Sequence, residues 1–367
     1  MKFDIAIIGA GIVGTSIADA LSIYDLKIVV LEKMPKIGLV QSKHNSAIIH
    51  AGNDPVPNSL KAKLNVLGNQ MYDVWERELE LTILRTGAFT VAFDSEGEEA
   101  LKKLYKQAQD NGVKGVELIS GNDARKIEPN LSKKITKVLH TPTTKIINPT
   151  EVVNKVMNRA IEHGVTLLTN SEVTKINKDH DLYKLTINNQ DYIESKIIIN
   201  AGGVFADEIL KLIDREMPFR MKPTKGEYYI LSSKAKGFVN KVIYPLPTKM
   251  GKGILLVPQT NGEIMVGPSS YEVTDKVSLA NTKKNLRIVR REAKKIARKI
   301  PFKYVTDTFA GIRSKSDYHD FYIKESYENK GVFHIAGMES PGLSSAPAIG
   351  KYVADMLLKK YQLKLKK

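Results

Sequence analysis

The chain contains no cysteine, a single tryptophan, and no apolar run approaching the ~18 residues that would span a bilayer. Without cysteine there are no disulfides, no thiolate catalysis and no Cys-ligated zinc, and a reducing compartment is expected. Acidic residues are also in deficit, with 40 Asp and Glu against 56 Lys and Arg, for a net charge of +16. The lysines are spread along the chain rather than clustered. This charge therefore reads as a solvated basic surface that also draws in anionic substrates, and nucleic acid is not expected as a partner. Met1-Lys2-Phe3-Asp4 leads directly into a strand pattern without the features of a secretory signal, so the expected location is the cytoplasm.

What the chain has in quantity is apolar sequence, 42% of 367 residues, enough to bury a large core and more consistent with two domains than one. Residues 3–8 (Phe-Asp-Ile-Ala-Ile-Ile) read as a buried parallel strand, Thr15 to Ser22 as a helix, and Lys27 to Glu32 as a second strand. Further helices are expected over 60–80, 97–110, 150–163, 281–300 and 344–360. Further strands are expected at 85–93, 166–168, 183–187, 196–200, 228–231, 253–257, 263–266 and 332–336. Pro142 and Pro149 bracket an expected loop, T-P-T-T-K-I-I-N-P. An α/β unit opens the chain, another closes it, and antiparallel-looking strands lie between them. The pattern implies a discontinuous nucleotide-binding domain interrupted by a mostly β substrate domain.

Gly9, Gly11 and Gly14 form G-x-G-x-x-G between the first strand and the first helix. The first glycine permits the tight turn, the second a close pyrophosphate, and the third close helix–sheet packing. Glu32 ends the second strand, where an acid can bind ribose hydroxyls, which argues against NADP. FAD and NAD stay open on this fingerprint alone. A second strand–loop–helix, Gly337-Met-Glu-Ser-Pro-Gly-Leu343, offers another helix N-terminus, suited to the negative charge that a reduced isoalloxazine develops.

These segments, together with H-N-S-A-I-I-H-A-G (44–52), T-P-T-T-K-I-I-N-P, I-I-N-A-G-G-V-F-A-D (198–207) and K-G-E-Y-Y (225–229), resemble the FAD-dependent amino- and hydroxy-acid oxidase superfamily over nearly the whole chain. The resemblance implies a D-amino-acid-oxidase fold: an α/β, Rossmann-like, discontinuous FAD-binding domain (1–83, 142–215, 306–367) with a mixed or antiparallel substrate domain (84–141, 216–305). Asn53-Asp-Pro-Val-Pro57, Gly251-Lys-Gly253 and Met338-Glu-Ser-Pro-Gly342 are similar to the soluble, mollicute-type glycerol-3-phosphate oxidases. L-2-hydroxyglutarate oxidase/dehydrogenase is the next branch. The activity this implies is oxidation of sn-glycerol 3-phosphate to dihydroxyacetone phosphate, with O₂ or a quinone as acceptor and H₂O₂ as product when O₂ serves. The alternative is oxidation of L-2-hydroxyglutarate or another hydroxy acid.

The same resemblance places Val13, Glu32, Lys33, Gln41, Ser42, Ser46, Ala47, Ile48, Val173, Ala201, Gly202, Met338, Glu339, Gly342, Leu343 and Ser344 against FAD. It places Ser46, His50, Lys252, Arg313 and Ser340 against substrate, with His50, Arg313 and Lys252 catalytic. Ala47 departs from the pattern, because many relatives have glycine there. No metal is expected. Imidazole titrates near neutral pH, so His50 suits the base; its bland alternative is a structural histidine at a strand end. Arg313 is either an anion clamp or half of an ion pair. Lys252 is either a phosphate ligand or an exposed turn residue, and His44 is expected to pack near the flavin. Asn281 to Lys303 carries ten basic residues and one acid, with an apolar stripe at Leu286, Val289, Ala293, Ile296 and Ile300. That stripe is expected to pack on the substrate domain, with the basic face and the lysine tail giving weak, salt-sensitive membrane contact.

Overall fold

The structure is a computed structural model that describes residues 1–246 and 253–366. The chain forms two compact units. The first comprises residues 1–43, 149–223 and 313–367; the second comprises 44–148 and 224–312. The first segment of the nucleotide unit thus ends forty residues before the boundary expected at 83. The reason is local. The short strand Ile48–Ile49 pairs antiparallel with Lys145–Ile146, and the helix Leu60–Glu78 is bonded to both stretches, which holds residues 44–83 in the second unit.

In the first unit an eight-stranded sheet runs in the order Tyr322–Glu325, Val332–Ala336, Asp191–Asn200, Lys2–Ile8, Ile28–Leu31, Thr166–Leu168, with a hairpin (Val173–Asp179, Leu182–Ile187) attached to Asp191–Asn200. Four neighbouring pairs along this path are parallel, and both faces are covered. That is why Ile5 to Ile8 read as an unbroken apolar run rather than an alternation. The helix Ile12–Leu21 buries Ile17, Ala18 and Leu21. A Cβ on Gly350 would lie 2.3 Å from the Ser16 carbonyl oxygen, so the helix Gly342–Tyr361 passes this helix at glycine distance. The Arg159 guanidinium meets the buried Asp19 carboxylate at 2.6 Å and pins a third helix, Pro149–Glu162, alongside. After Gly342–Tyr361 the chain doubles back. Asp25 N–H donates to the Lys364 carbonyl and Lys366 N–H to the Ile23 carbonyl, so residues from both ends of the chain complete this unit.

A nine-stranded mixed sheet builds the second unit, with Val242–Pro245 parallel to Ala88–Ala92 and the other neighbours along its main path antiparallel. The basic helix Lys283–Ile296 lays Val289, Ala293 and Ile296 on it. Burying Val289 and Ile296 contributes roughly 2 kcal/mol each. The stripe read from the sequence is therefore committed to the core, and the lysines and arginines face water. The helix stops at Ile296 rather than 300 because Ser132 N–H takes the Ile296 carbonyl and Ala297 turns extended. Its N-terminus is capped by Thr282 and by the fully buried Glu227 carboxylate, which accepts from Thr282 N–H at 2.9 Å and from the Tyr271 hydroxyl at 2.6 Å. Among the described residues, no helix is long and apolar enough to cross a membrane.

Candidate active site

The first unit holds a cavity of about 390 Å³ at the carboxyl ends of its parallel strands, where open α/β sheets bind ligands. Ile8, Leu31 and Ile335 form its inner wall, continued by the residues just past each strand: Gly9, Glu32, Ala201 and Gly202. Gly9 has φ +107°, and a Cβ there would sit 2.6 Å from the Ala201 carbonyl oxygen. A Cβ on Gly14 would lie 1.9 Å from the Gly9 carbonyl oxygen, so Gly14 sets the turn without facing the cavity. The helix Ile12–Leu21 opens on Gly11 with no side-chain cap from that residue, and Ile12 N–H donates to Ser42 Oγ at 2.8 Å. Its dipole favours an anion there. The Glu32 carboxylate is fixed by Ala10 N–H (2.8 Å) and Met34 N–H (2.9 Å), which aims an acceptor at the cavity.

Of the cofactor residues expected from the sequence, Gly9, Gly11, Val13, Glu32, Lys33, Gln41, Ser42, Val173, Ala201, Gly202 and Met338 line this cavity. Gln41 reaches across it, its Oε1 accepting from Val204 N–H at 2.9 Å. Glu339, Gly342, Leu343 and Ser344 lie just beyond Met338, at the entry to the long helix Gly342–Tyr361. Phe205 and Ser314 also line the cavity and were not legible beforehand. Lys33 Nζ stands 3.2 Å from the Phe205 ring centroid. Ser314 Oγ is buried with no hydrogen-bond partner among the described residues, the kind of orphaned polar atom that a bound ligand satisfies. A helix N-terminus at the cavity, a fixed ribose acceptor and an orphaned hydroxyl fit a dinucleotide of FAD type.

Ser46, Ala47, Ile48 and His50 belong to the second unit. Ala47 has φ +61°, held by its own N–H donating to Asn45 Oδ1 at 2.7 Å. The departure from glycine thus falls on a left-handed residue, where the side chain of Asn45 stabilises the conformation that glycine adopts without a Cβ penalty. Ile48 and Ile49 pair with Ile146 and Lys145, so T-P-T-T-K-I-I-N-P is not all loop: it supplies the partner strand of H-N-S-A-I-I-H-A-G. Ser46 Oγ meets the Tyr228 hydroxyl at 3.1 Å, and Tyr228 stacks on Phe309 with centroids 4.5 Å apart. His44 also packs against Phe309, at 6.3 Å. K-G-E-Y-Y therefore carries two separate jobs, the Glu227 cap and the Tyr228 contact.

The His50 backbone carbonyl is gripped by two side-chain amides, Asn65 Nδ2 at 2.9 Å and Asn69 Nδ2 at 3.1 Å. Past it, Gly52 turns the chain at φ +108°, with Val66 where a Cβ would go. The imidazole Nδ1 lies 3.1 Å from the Tyr244 hydroxyl. No feature of the sequence links positions 50 and 244. Arg313 ends the strand Val305–Arg313 half-buried, and Ser340 sits in the half-buried stretch before Pro341. Lys252 lies outside the described residues. Among those described, no group of His, Cys, Asp and Glu could hold a metal.

Residues 4–356 match the FAD dependent oxidoreductase (DAO) family. The chain belongs to that family. FAD is the cofactor of this oxidoreductase, and the fold expected from the sequence, α/β with a Rossmann-like unit and a mixed-sheet unit, is the one observed. The oxidoreductase is 39% identical to a glycerol 3-phosphate dehydrogenase of Caloramator mitchellensis, over 97% of this chain and 74% of the relative. It is 30% identical to a glycerol 3-phosphate oxidase of Mycoplasma genitalium, over 99% and 96%. Among solved structures, the FAD-bound, dithionite-reduced L-α-glycerophosphate oxidase of Mycoplasma pneumoniae superposes with a TM-score of 0.93 at 27% identity, covering 100% of this chain and 97% of that one.

Proposed function

We propose that this FAD dependent oxidoreductase oxidises sn-glycerol 3-phosphate to dihydroxyacetone phosphate, with O₂ as the acceptor that regenerates the flavin and yields H₂O₂. The observation that carries the reading is the 39% identity to a glycerol 3-phosphate dehydrogenase over nearly the whole chain, coupled to a histidine whose backbone is clamped and whose Nδ1 is held.

Bound FAD supplies the hydride acceptor. The chain's own residues supply the rest. His50 takes the proton of the C2 hydroxyl as the C2 hydride leaves, so one hydride and one proton depart and the carbon becomes a carbonyl. The Asn65 and Asn69 bonds fix where the imidazole begins, which conserves the geometry that a near-attack arrangement needs. Arg313 offers a planar fork suited to the phosphate, and Lys252, Ser340 and Ser46 are the further substrate ligands of this reading. Binding at the phosphate end then orients the reacting C–H. In the first unit Gly9, Gly11, Val13 and Ser42 hold the pyrophosphate side, Glu32 the ribose, and Met338 to Ser344 the isoalloxazine side.

The test is anaerobic mixing of the holoenzyme with glycerol 3-phosphate, L-2-hydroxyglutarate or glycerol, followed by readmission of air. Rapid bleaching by glycerol 3-phosphate alone, and return of colour with one H₂O₂ per substrate in air, is the expected result. Faster bleaching by L-2-hydroxyglutarate would overturn the substrate, and colour that returns only with a quinone would overturn the acceptor.

A further inference from the structure

His50 is held at its backbone from one side and at its ring from another. Its carbonyl is fixed by Asn65 and Asn69, while Nδ1 faces the Tyr244 hydroxyl at 3.1 Å, with ring centroids 6.0 Å apart and planes inclined by 36°. Tyr244 lies on the strand Val242–Pro245, hydrogen-bonded in register to Ala88–Ala92, so its hydroxyl is placed by the sheet rather than by a loop. Burial drives the tyrosine hydroxyl's pKa upward, and the negative charge of Asp54 adds to it; the group is a neutral phenol at any working pH.

A neutral phenol can donate to Nδ1 or accept from it, and the two options give opposite chemistry. If the phenol donates, the proton of neutral His50 sits on Nε2, which then has no lone pair for a substrate hydroxyl. If the phenol accepts Nδ1–H, Nε2 is the basic nitrogen, and it stays hydrogen-bonded in the same place after it has taken the proton. A phenol fixes tautomer and orientation without adding a charge.

We propose that Tyr244 is the positioning residue of this site: its oxygen accepts Nδ1–H of His50 and so reserves Nε2 for the hydroxyl proton of the substrate. The inference rests on His50 being the base, and the experiment separates the two ideas. The holoenzymes compared are wild type, His50→Asn, Tyr244→Phe and the double variant, each followed by flavin bleaching under anaerobic glycerol 3-phosphate. Tyr244→Phe should keep its FAD and its substrate affinity while the limiting reduction rate falls roughly 10–100-fold, the range seen when an imidazole loses the partner that orients it. In the His50→Asn background the same change should add nothing, because Tyr244 acts through His50. A slow His50→Asn beside a Tyr244→Phe of wild-type rate overturns the role of Tyr244 and leaves the base standing. A His50→Asn of wild-type rate overturns the base and the proposal with it. A second measurement does not depend on turnover: ¹⁵N spectra of histidine-labelled wild-type holoenzyme, with the His50 signals identified by their loss in His50→Asn. Protonated Nδ1 with basic Nε2 supports the proposal, and the reverse tautomer overturns it even if Tyr244→Phe proves too unstable to assay.

Discussion

The two units build their sites from different materials. In the first, the cavity is shaped by main chain: turns at Gly9 and Gly14 that admit no Cβ, a helix end that offers amides, and a carboxylate locked by two backbone N–H groups. In the second, chemistry-bearing groups are set by side chains drawn from far apart: Asn65 and Asn69 on one helix, Tyr228 and Tyr244 on two strands, and Asn45 beneath Ala47. Main-chain shape tolerates almost no substitution but is indifferent to what the neighbouring side chains are. A side-chain constellation folds readily without any one member, yet loses its function. The first arrangement suits a cofactor shared by a family, and the second suits a substrate that differs between its branches.

Loss of chemistry with retention of the flavin is the largest effect expected. His50→Asn should reduce the anaerobic flavin-reduction rate by ~10²–10⁴-fold while the protein stays yellow, and the acidic limb of the pH–rate profile should vanish with the imidazole. If that variant is purified colourless, His50 belongs with the structural elements and the contrast between the units fails. Next comes the reverse case. Gly14→Ala forces its Cβ onto the Gly9 carbonyl oxygen, and FAD affinity should drop at least ~100-fold, about 3 kcal/mol. Stoichiometric flavin absorbance after gel filtration of Gly14→Ala would show that the turn can relax and is not the determinant.

A buried side-chain network in the first unit sharpens the same contrast. Asp214 accepts from His334 Nε2 at 2.7 Å, and from Asn329 Nδ2 and Ser326 Oγ at 2.8 Å each, while Asn200 Nδ2 donates to His334 Nδ1 at 3.0 Å. Burial raises the Asp214 carboxyl, but these donors outweigh it and hold the group below its ordinary value. The sign follows: the stabilisation is complete above the unfolded carboxylate range and is lost as pH falls through the lowered folded value. Asp214→Ala should therefore cost about 3 kcal/mol at neutral pH and flatten the acid side of a melting-temperature profile. It should leave the flavin-reduction rate of the folded fraction unchanged. A reduced rate in fully folded Asp214→Ala would show that this buried network reaches the chemistry.

Membrane contact is the smallest effect. Because Val289, Ala293 and Ile296 are already buried, only the basic face of Lys283–Ile296 and the lysines near 359–366 are left to attract anionic lipid, on the order of 1 kcal/mol per residue near the surface. Weak flotation with anionic vesicles at low salt, abolished at physiological salt, is expected. Protein that stays wholly in the soluble fraction at low salt would sink this expectation.

The contrast also explains what could be read before the fold was known. The glycine turn and Glu32 were legible because main-chain sites are local: G-x-G-x-x-G lies within six residues, between a strand and a helix that both announce themselves by periodicity. The placement of Lys283–Ile296 was legible for the same reason. Tyr244 was not, since its meaning depends on a partner 194 positions away. The same holds for Ser314, whose significance is an unsatisfied hydroxyl rather than a motif, and for Lys145–Ile146, which looks like loop until Ile48–Ile49 is set against it. The extent of the first segment differs on the same ground, because the strand that holds residues 44–83 to the second unit, Lys145–Ile146, lies far along the chain.

The interleaving of the segments has a consequence for synthesis on the ribosome. Lys2–Ile8 is among the first strands made, yet the parallel sheet around it waits for Asp191–Asn200 and then for Val332–Ala336, and its helical cover waits for Gly342–Tyr361. The second unit needs nothing beyond residue 312. At a synthesis rate of roughly 5–20 residues per second, the opening strand spends on the order of 20–70 seconds without its last neighbours. The cofactor cavity, with Ile335 and Met338 in its wall, closes only after those residues have emerged. A nascent chain halted before that point would carry a complete substrate sheet and no place for FAD.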